Sequence, residues 1–288
     1  MVVPPGQGII TLTTDFGTRD PYVGVLKGVV LGINAQATVV DLCHHVQPQA
    51  VLQGAFLLGY AHRYFPRGAV HLAVVDPGVG TARRPLLLCT PEHTFVGPDN
   101  GIFSYVLLQG SGGQPPPVTG EGSIALSVSK SRVSGLPQGY QAFVLSNPRY
   151  WLHPVSQTFH GRDIFAPVAA HLSLGVPPEE LGMAVDSVAW LPPPQPREEG
   201  TRVSGQVVHV DRFGNLITNI PAGMIRGTDI QVEIKGRRVR GLSASYAEGE
   251  GLLAIIGSYG TLELSLRNGD AARLLRAGLG EPVRIDRA

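Results

Sequence analysis

The first 75 residues alternate short apolar runs with longer amphipathic ones, and that alternation limits the fold more than any other feature of the chain. Residues 9–13, 38–42 and 69–75 read as buried strands. Residues 20–32 and 48–64 read as the helices between them, the second with Val51, Ala55, Leu58 and Ala61 along one face. Asp20-Pro21 supplies an N-cap acid and a proline at the first helical position. Strand, helix, strand, helix, strand at this spacing predicts an α/β domain built on a largely parallel sheet with flanking helices and right-handed crossovers.

Beyond it, residues 85–89 and 94–96 look like a strand pair around Thr90-Pro91-Glu92-His93, followed by the turn Gly97-Pro98-Asp99-Asn100-Gly101 and a helix from Ile102. Residues 109–139, rich in Gly, Pro, Ser and Gln, show no clear period and read as a long surface loop or lid. Residues 143–145 suggest another strand. Thr158-Phe159-His160-Gly161-Arg162-Asp163 opens a helix to about Leu174, with Ile164, Phe165, Val168, Ala169 and Leu172 as its apolar face.

Leu191-Pro192-Pro193-Pro194-Gln195-Pro196 stiffens an extended segment that can enter neither a sheet nor a helix interior. It sets the expected division: an N-terminal domain over residues 1–190, a linker over 191–199 and a C-terminal domain over 200–288. In the last of these, residues 205–210, 216–220, 230–234, 252–256 and 261–266 alternate between Gly- and Asn-containing breaks, as a small β-barrel or sandwich would.

A net charge of +1 over 288 residues, with no basic stripe, provides no footprint for nucleic acid and no polybasic membrane anchor. Cys43 and Cys89 sit in apolar runs and read as reduced core thiols, and Cys43-His44-His45 alternates faces too strictly to cage a metal. No metal is expected. Residues 1–8 lack the features of a signal peptide, so the expected location is cytoplasmic.

Chemistry is expected at Val75-Asp76-Pro77-Gly78-Val79-Gly80-Thr81-Ala82-Arg83-Arg84, which delivers a carboxylate to a strand end with cations close behind. The bland alternative is a strand-ending turn. Asp15, in Thr13-Thr14-Asp15-Phe16-Gly17, is likewise a ligand at a strand end or a turn acid. His160 is catalytic or a solvated loop residue, and Phe213, in Asp211-Arg212-Phe213-Gly214-Asn215, is a stacking ring or part of a hairpin turn.

Taken in order with Thr158 to Pro167 and Gly257-Ser258-Tyr259-Gly260, these motifs resemble the S-adenosyl-L-methionine (SAM) hydrolase, adenosine-forming, or SAM hydroxide adenosyltransferase family, relatives of the SAM-dependent fluorinase and chlorinase. The resemblance implies hydrolysis of SAM to adenosine and L-methionine by a water-derived nucleophile at C5′, with SAM as substrate and no cofactor. It also implies a C-terminal β-barrel domain and a homotrimer with sites between subunits. Carried over by motif, Asp76, Arg83 and His160 form a catalytic triad and Asp15 holds the ribose diol. Asp211, Phe213 and Asn215 contact the adenine or the methionine end, and Ser258 assists the methionine carboxylate.

Two other functions stay open at this point: a SAM-dependent halogenase and a SAM or adenosine binding module. The halogenating relatives carry a tyrosine where this chain has Asp76, and a carboxylate there repels halide but can accept a proton from water. An arginine beside that carboxylate weakens it as a base, so the triad either performs general-base catalysis or orients hydroxide electrostatically.

Overall fold

The computed structural model describes residues 8–119, 124–125, 128–129, 131–227, 229–248 and 251–287. The chain divides into two compact units, Met1–Pro193 and Pro194–Ala288. Among the described residues no helix is long and apolar enough to cross a membrane.

The first unit runs β1 (Ile9–Thr14), α1 (Tyr22–Ile33), β2 (Thr38–Cys43), α2 (Val51–Ala61), β3 (Val70–Val74), β4 (Pro85–Cys89), β5 (Thr94–Pro98), α3 (Ser104–Gly110), β6 (Gln141–Leu145), α4 (Ala166–Ser173) and β7 (Gly182–Val185). Its main sheet has the order β7-β6-β4-β5-β3-β1-β2. β2, β1, β3 and β5 are parallel, while β4, β6 and β7 continue the sheet antiparallel.

Strand pleating splits the apolar residues between two layers. Val70, Leu72 and Val74 of β3 face α1 and α4 with Leu26, Val30, Val168 and Leu172. Ala73 and Val75 face α2 and α3 with Ala55, Leu58, Val106 and Leu107. A strand covered on both faces has no polar alternation, which is why β3 reads as a continuous apolar run.

α1 begins one residue later than its sequence suggests. Pro21 occupies the N-cap with φ −74° and ψ −1°, and no side chain caps the helix, so Asp20 is left outside it. α4 is preceded by a π-helical turn at Gly161–Phe165, so the helix expected from Thr158 starts with a wider coil just after His160.

Part of the stretch 109–139 is paired. Val118–Thr119 and Arg132–Ser134 form a small sheet with Ser187–Ala189. The rest of the lid reading, at residues 120–123, 126–127 and 130, lies outside the described residues.

The second unit holds β8 (Arg202–Val210), β9 (Leu216–Pro221), β10 (Ile230–Ile234), β11 (Arg237–Arg240), β12 (Leu252–Ile256), β13 (Thr261–Leu266) and β14 (Pro282–Arg287), in the antiparallel order β11-β10-β14-β8-β9-β13-β12. Arg197–Glu199 adds a short strand against β8. β11 and β12, the two ends of the order, approach one another, making a nearly closed, barrel-like sheet around Val203, Val207, Leu216, Val232, Leu264 and Ile285. β11 escapes sequence reading because Val239 is its one buried residue. Its turn is unambiguous: Lys235 and Gly236 both have positive φ, as a two-residue hairpin requires.

Candidate active site

Parallel pairing of β1 with β3 aligns Thr14 with Val74, so Asp15 and Asp76 emerge side by side at the carboxyl ends of neighbouring strands. Asn100 braces this end by donating to the Val75 carbonyl at 2.8 Å. The turn after Asp76 reverses tightly, with Val79 N–H on the Asp76 carbonyl and Thr81 Oγ1 on that of Gly78. Gly80, at φ +75°, lies so close to the Gln157 carbonyl that any added Cβ would collide with it. The missing side chain lets the Asp76 turn approach the loop that carries His160.

Arg83 joins the two. Its Nε donates to Asp76 Oδ1 and Oδ2 at 2.9 and 3.0 Å and its Nη2 donates to Oδ2. The same Nη2 donates to His160 Nδ1 at 2.8 Å. The Arg83 and Asp76 side chains are 3% and 5% exposed, and the guanidinium stands 5.2 Å from the centre of the Phe165 ring. A guanidinium has only donors, so His160 Nδ1 is an acceptor and a neutral ring carries its proton on Nε2. Burial, then the charge of Arg83, holds His160 below the usual imidazole range against the opposing pull of Asp76 and Asp163. Asp163, fully buried, accepts from Ser156 N–H and from Arg162 Nε, which anchors the loop ahead of His160.

Arg84 points elsewhere. It donates to Asp99 Oδ2 at 2.8 Å and to the Ser187 carbonyl, and Arg132 repeats both contacts. This hub ties the small sheet to the main one, and it explains why two adjacent arginines serve different ends.

Asp15, Asp76 and His160 line a cavity of about 620 Å³ together with Phe16, Tyr22 and Phe159. The three rings pack edge-on or tilted with centroids 5.3–5.9 Å apart. Asp15 accepts from the N–H of Gln49 at 2.8 Å. Burial raises its pKa, opposed by that bond and reinforced by the charge of Asp76. Arg83 lies behind this wall and acts through the two groups it grips.

The remaining sequence-expected residues gather in the second unit. Asp211, Phe213, Asn215 and Ser258 line a cavity of about 830 Å³ with Tyr246 and Glu263. Asp211 is largely spent on its own hairpin: Oδ1 accepts from Phe213 N and Asn215 N, each at 2.9 Å, and Oδ2 from Asn215 Nδ2 at 2.8 Å. The turn it fixes holds Phe213 75% exposed.

Sequence reading passed over Phe16, Tyr22, Phe159 and Asn100 in the first unit, and Tyr246 and Glu263 in the second. Phe16 and Phe159 each adjoin a residue it did select; Tyr246 and Glu263 carry no local signal. Among the described residues no group of three or more His, Cys, Asp or Glu side chains is arranged to hold a metal ion.

Residues 10–182 match the SAM hydroxide adenosyltransferase N-terminal domain, and residues 205–284 match the C-terminal domain of the same family. The chain is 40% identical to an (R)-S-adenosyl-L-methionine hydrolase of Thermus thermophilus, over 94% of this chain and 97% of that one. A fluorinase of an Actinoplanes species is 31% identical over 75% and 72%. A solved structure from Thermotoga maritima, described as an uncharacterized conserved protein, superposes with a TM-score of 0.81 at 32% identity, covering 96% of this chain and all of that one.

Proposed function

Because the chain belongs to the SAM hydroxide adenosyltransferase family, we propose that it hydrolyses S-adenosyl-L-methionine to adenosine and L-methionine by attack of a water-derived oxygen on C5′. The observation that carries this reading is the Arg83 bridge, in which one buried guanidinium holds a carboxylate and an imidazole that both line a cavity of ligand size.

In the reaction a bond forms between the water oxygen and C5′, and the C5′–S bond breaks with its electron pair passing to sulfur. One water proton leaves to Asp76. The departing group is a neutral thioether, so its expulsion calls for no acid, metal or other cofactor. Arg83 engages Asp76 through two N–H groups, its single Nε–H being shared between both oxygens, and a carboxylate with about four lone-pair sites keeps capacity for the water. His160, protonated on Nε2, orients the water as a donor. Most of the rate enhancement comes from holding the water in line with the C5′–S bond.

Asp15 takes the ribose hydroxyls. Asp76 places a carboxylate on the cavity wall, which opposes a halide nucleophile at that point. In the second unit Phe213 stacks on adenine, Asn215 contacts the base or the methionine end, Ser258 assists the methionine carboxylate, and Asp211 holds the first two in place. Each cavity carries part of this chemistry, in keeping with a homotrimer in which every site draws on two subunits. The free thiols of Cys43 and Cys89 suit the cytoplasm.

Incubation with SAM in ¹⁸O-labelled water tests the reading. Adenosine labelled at its 5′-oxygen is expected; unlabelled adenosine overturns direct hydrolysis. A 5′-halo-5′-deoxyadenosine formed when fluoride or chloride is supplied would identify a halogenase, and tight SAM binding without methionine release a binding module.

A further inference from the structure

β13 buries Leu262 and Leu264 in the core of the second unit. The opposite face of such a strand ordinarily meets water, yet Glu263 is 3% exposed and Ser265 is 1% exposed. Carboxylates seldom lie that deep without a cation. Glu263 Oε1 accepts from Tyr246 Oη at 2.7 Å and from Ser265 Oγ at 2.8 Å. Desolvation and then the bond to Glu263 push the Tyr246 hydroxyl up to about 12, so it stays a donor.

Among the described residues, Oε2 accepts no hydrogen bond and no Lys, Arg or His pairs with the carboxylate. Oε2 lies against Gly257, where an added Cβ would collide with it. The carboxylate lines the cavity shared with Asp211, Asn215 and Ser258. One oxygen is therefore fixed by two hydroxyls while the other accepts nothing from the described residues.

We infer that Glu263 binds the α-ammonium group of the amino-acid portion of the substrate and of the methionine product, an inference that rests on the SAM-hydrolase reading above. Two neutral hydroxyls orient the carboxylate without bringing a cation into contact with it, and an ammonium supplies both a positive charge and a donor for Oε2. The exocyclic amine of adenine is the competing donor, and being neutral it would leave a buried anion unbalanced. Tyr246 and Ser265 act as positioning residues, and Gly257 keeps the space open.

The test is titration of L-methionine, of its analogue lacking the amino group, and of adenosine into the full chain and into Glu263→Gln. Methionine affinity is expected to fall about 30-fold or more in the variant. Adenosine affinity and the affinity of the des-amino analogue should stay the same in both proteins. Gly257→Ala, which displaces Oε2 without changing charge, should weaken methionine in the same selective way. Unchanged methionine affinity, selective loss of adenosine, or equal loss of all three ligands would overturn the assignment. If the unsubstituted chain fails to hydrolyse SAM, the earlier reading falls; if it hydrolyses SAM and Glu263→Gln discriminates ligands no differently, only this one does.

Discussion

Replacing Arg83 by lysine keeps a positive charge but removes the fork. The guanidinium reaches both Asp76 oxygens and His160 Nδ1 from a position where it is 3% exposed. A lysine side chain is shorter and lacks the Nε–H, so its ammonium falls short of the Nη2 position from which one nitrogen meets both Asp76 Oδ2 and His160 Nδ1. At least one charge-assisted hydrogen bond is then lost from a buried site, at a cost of about 1.5–3 kcal/mol. If that loss falls entirely on the transition state, kcat drops about 10- to 150-fold. KM should change little, because Arg83 stands behind the cavity wall rather than in it. His160, no longer obliged to present Nδ1 as an acceptor, gains freedom to take a proton, so the acid limb of the kcat profile should move to higher pH. Steady-state release of adenosine across pH 5–9 measures both effects. A kcat within about twofold of the parent enzyme, with an unmoved acid limb, would show that the bridge does not organise the site.

Arg84→Leu provides the contrast: losing one of two cations on Asp99, whose side chain is 2% exposed, should cost about 2–3 kcal/mol in denaturant unfolding while leaving kcat per folded molecule unchanged. His62, His71 and His93 pack with ring centroids 5.0–5.9 Å apart, and burial holds all three below 6.5, His93 at about 4. Unfolded imidazoles take up protons first, so stability should be full above about pH 6.5 and decline as pH falls toward 4, by up to roughly 3 kcal/mol from His93 alone. Denaturant midpoints between pH 7 and 4.5 check this, and an identical slope in His93→Gln would contradict it. Phe213→Ala should leave stability within about 0.5 kcal/mol, because the ring is 75% exposed. The same substitution should raise KM for SAM about tenfold, as expected for loss of a stacking surface.

Much of this fold is legible because β1 and β3 are buried on both faces and write continuous apolar runs between helical periods. Asp76 is legible for the same reason: a buried run that ends in an acid announces a strand terminus. Legibility fails where the third dimension supplies the meaning. Glu263 and Ser265 alternate with Leu262 and Leu264 as if facing water, and Tyr246, seventeen residues earlier, helps to close that face. Arg83 and Arg84 are indistinguishable by composition, and it takes the buried Asp99 hub to draw one of them away. β11 carries three arginines around Val239, and its place in the sheet depends on the partner strand β10 rather than on its own pattern. Asp20-Pro21 satisfies the local rule for a helix start, yet the chain enters the helix at Pro21 and leaves the acid uninvolved.

The central claim is that Asp76, locked by Arg83 and linked through it to His160, aims a water oxygen at C5′. Asp76→Ala tests it most directly, with SAM binding by calorimetry and adenosine release by chromatography measured on the same preparation. Release should fall at least about a thousandfold while SAM still binds. Adenosine appearing at the parental rate from the substituted enzyme would contradict the claim.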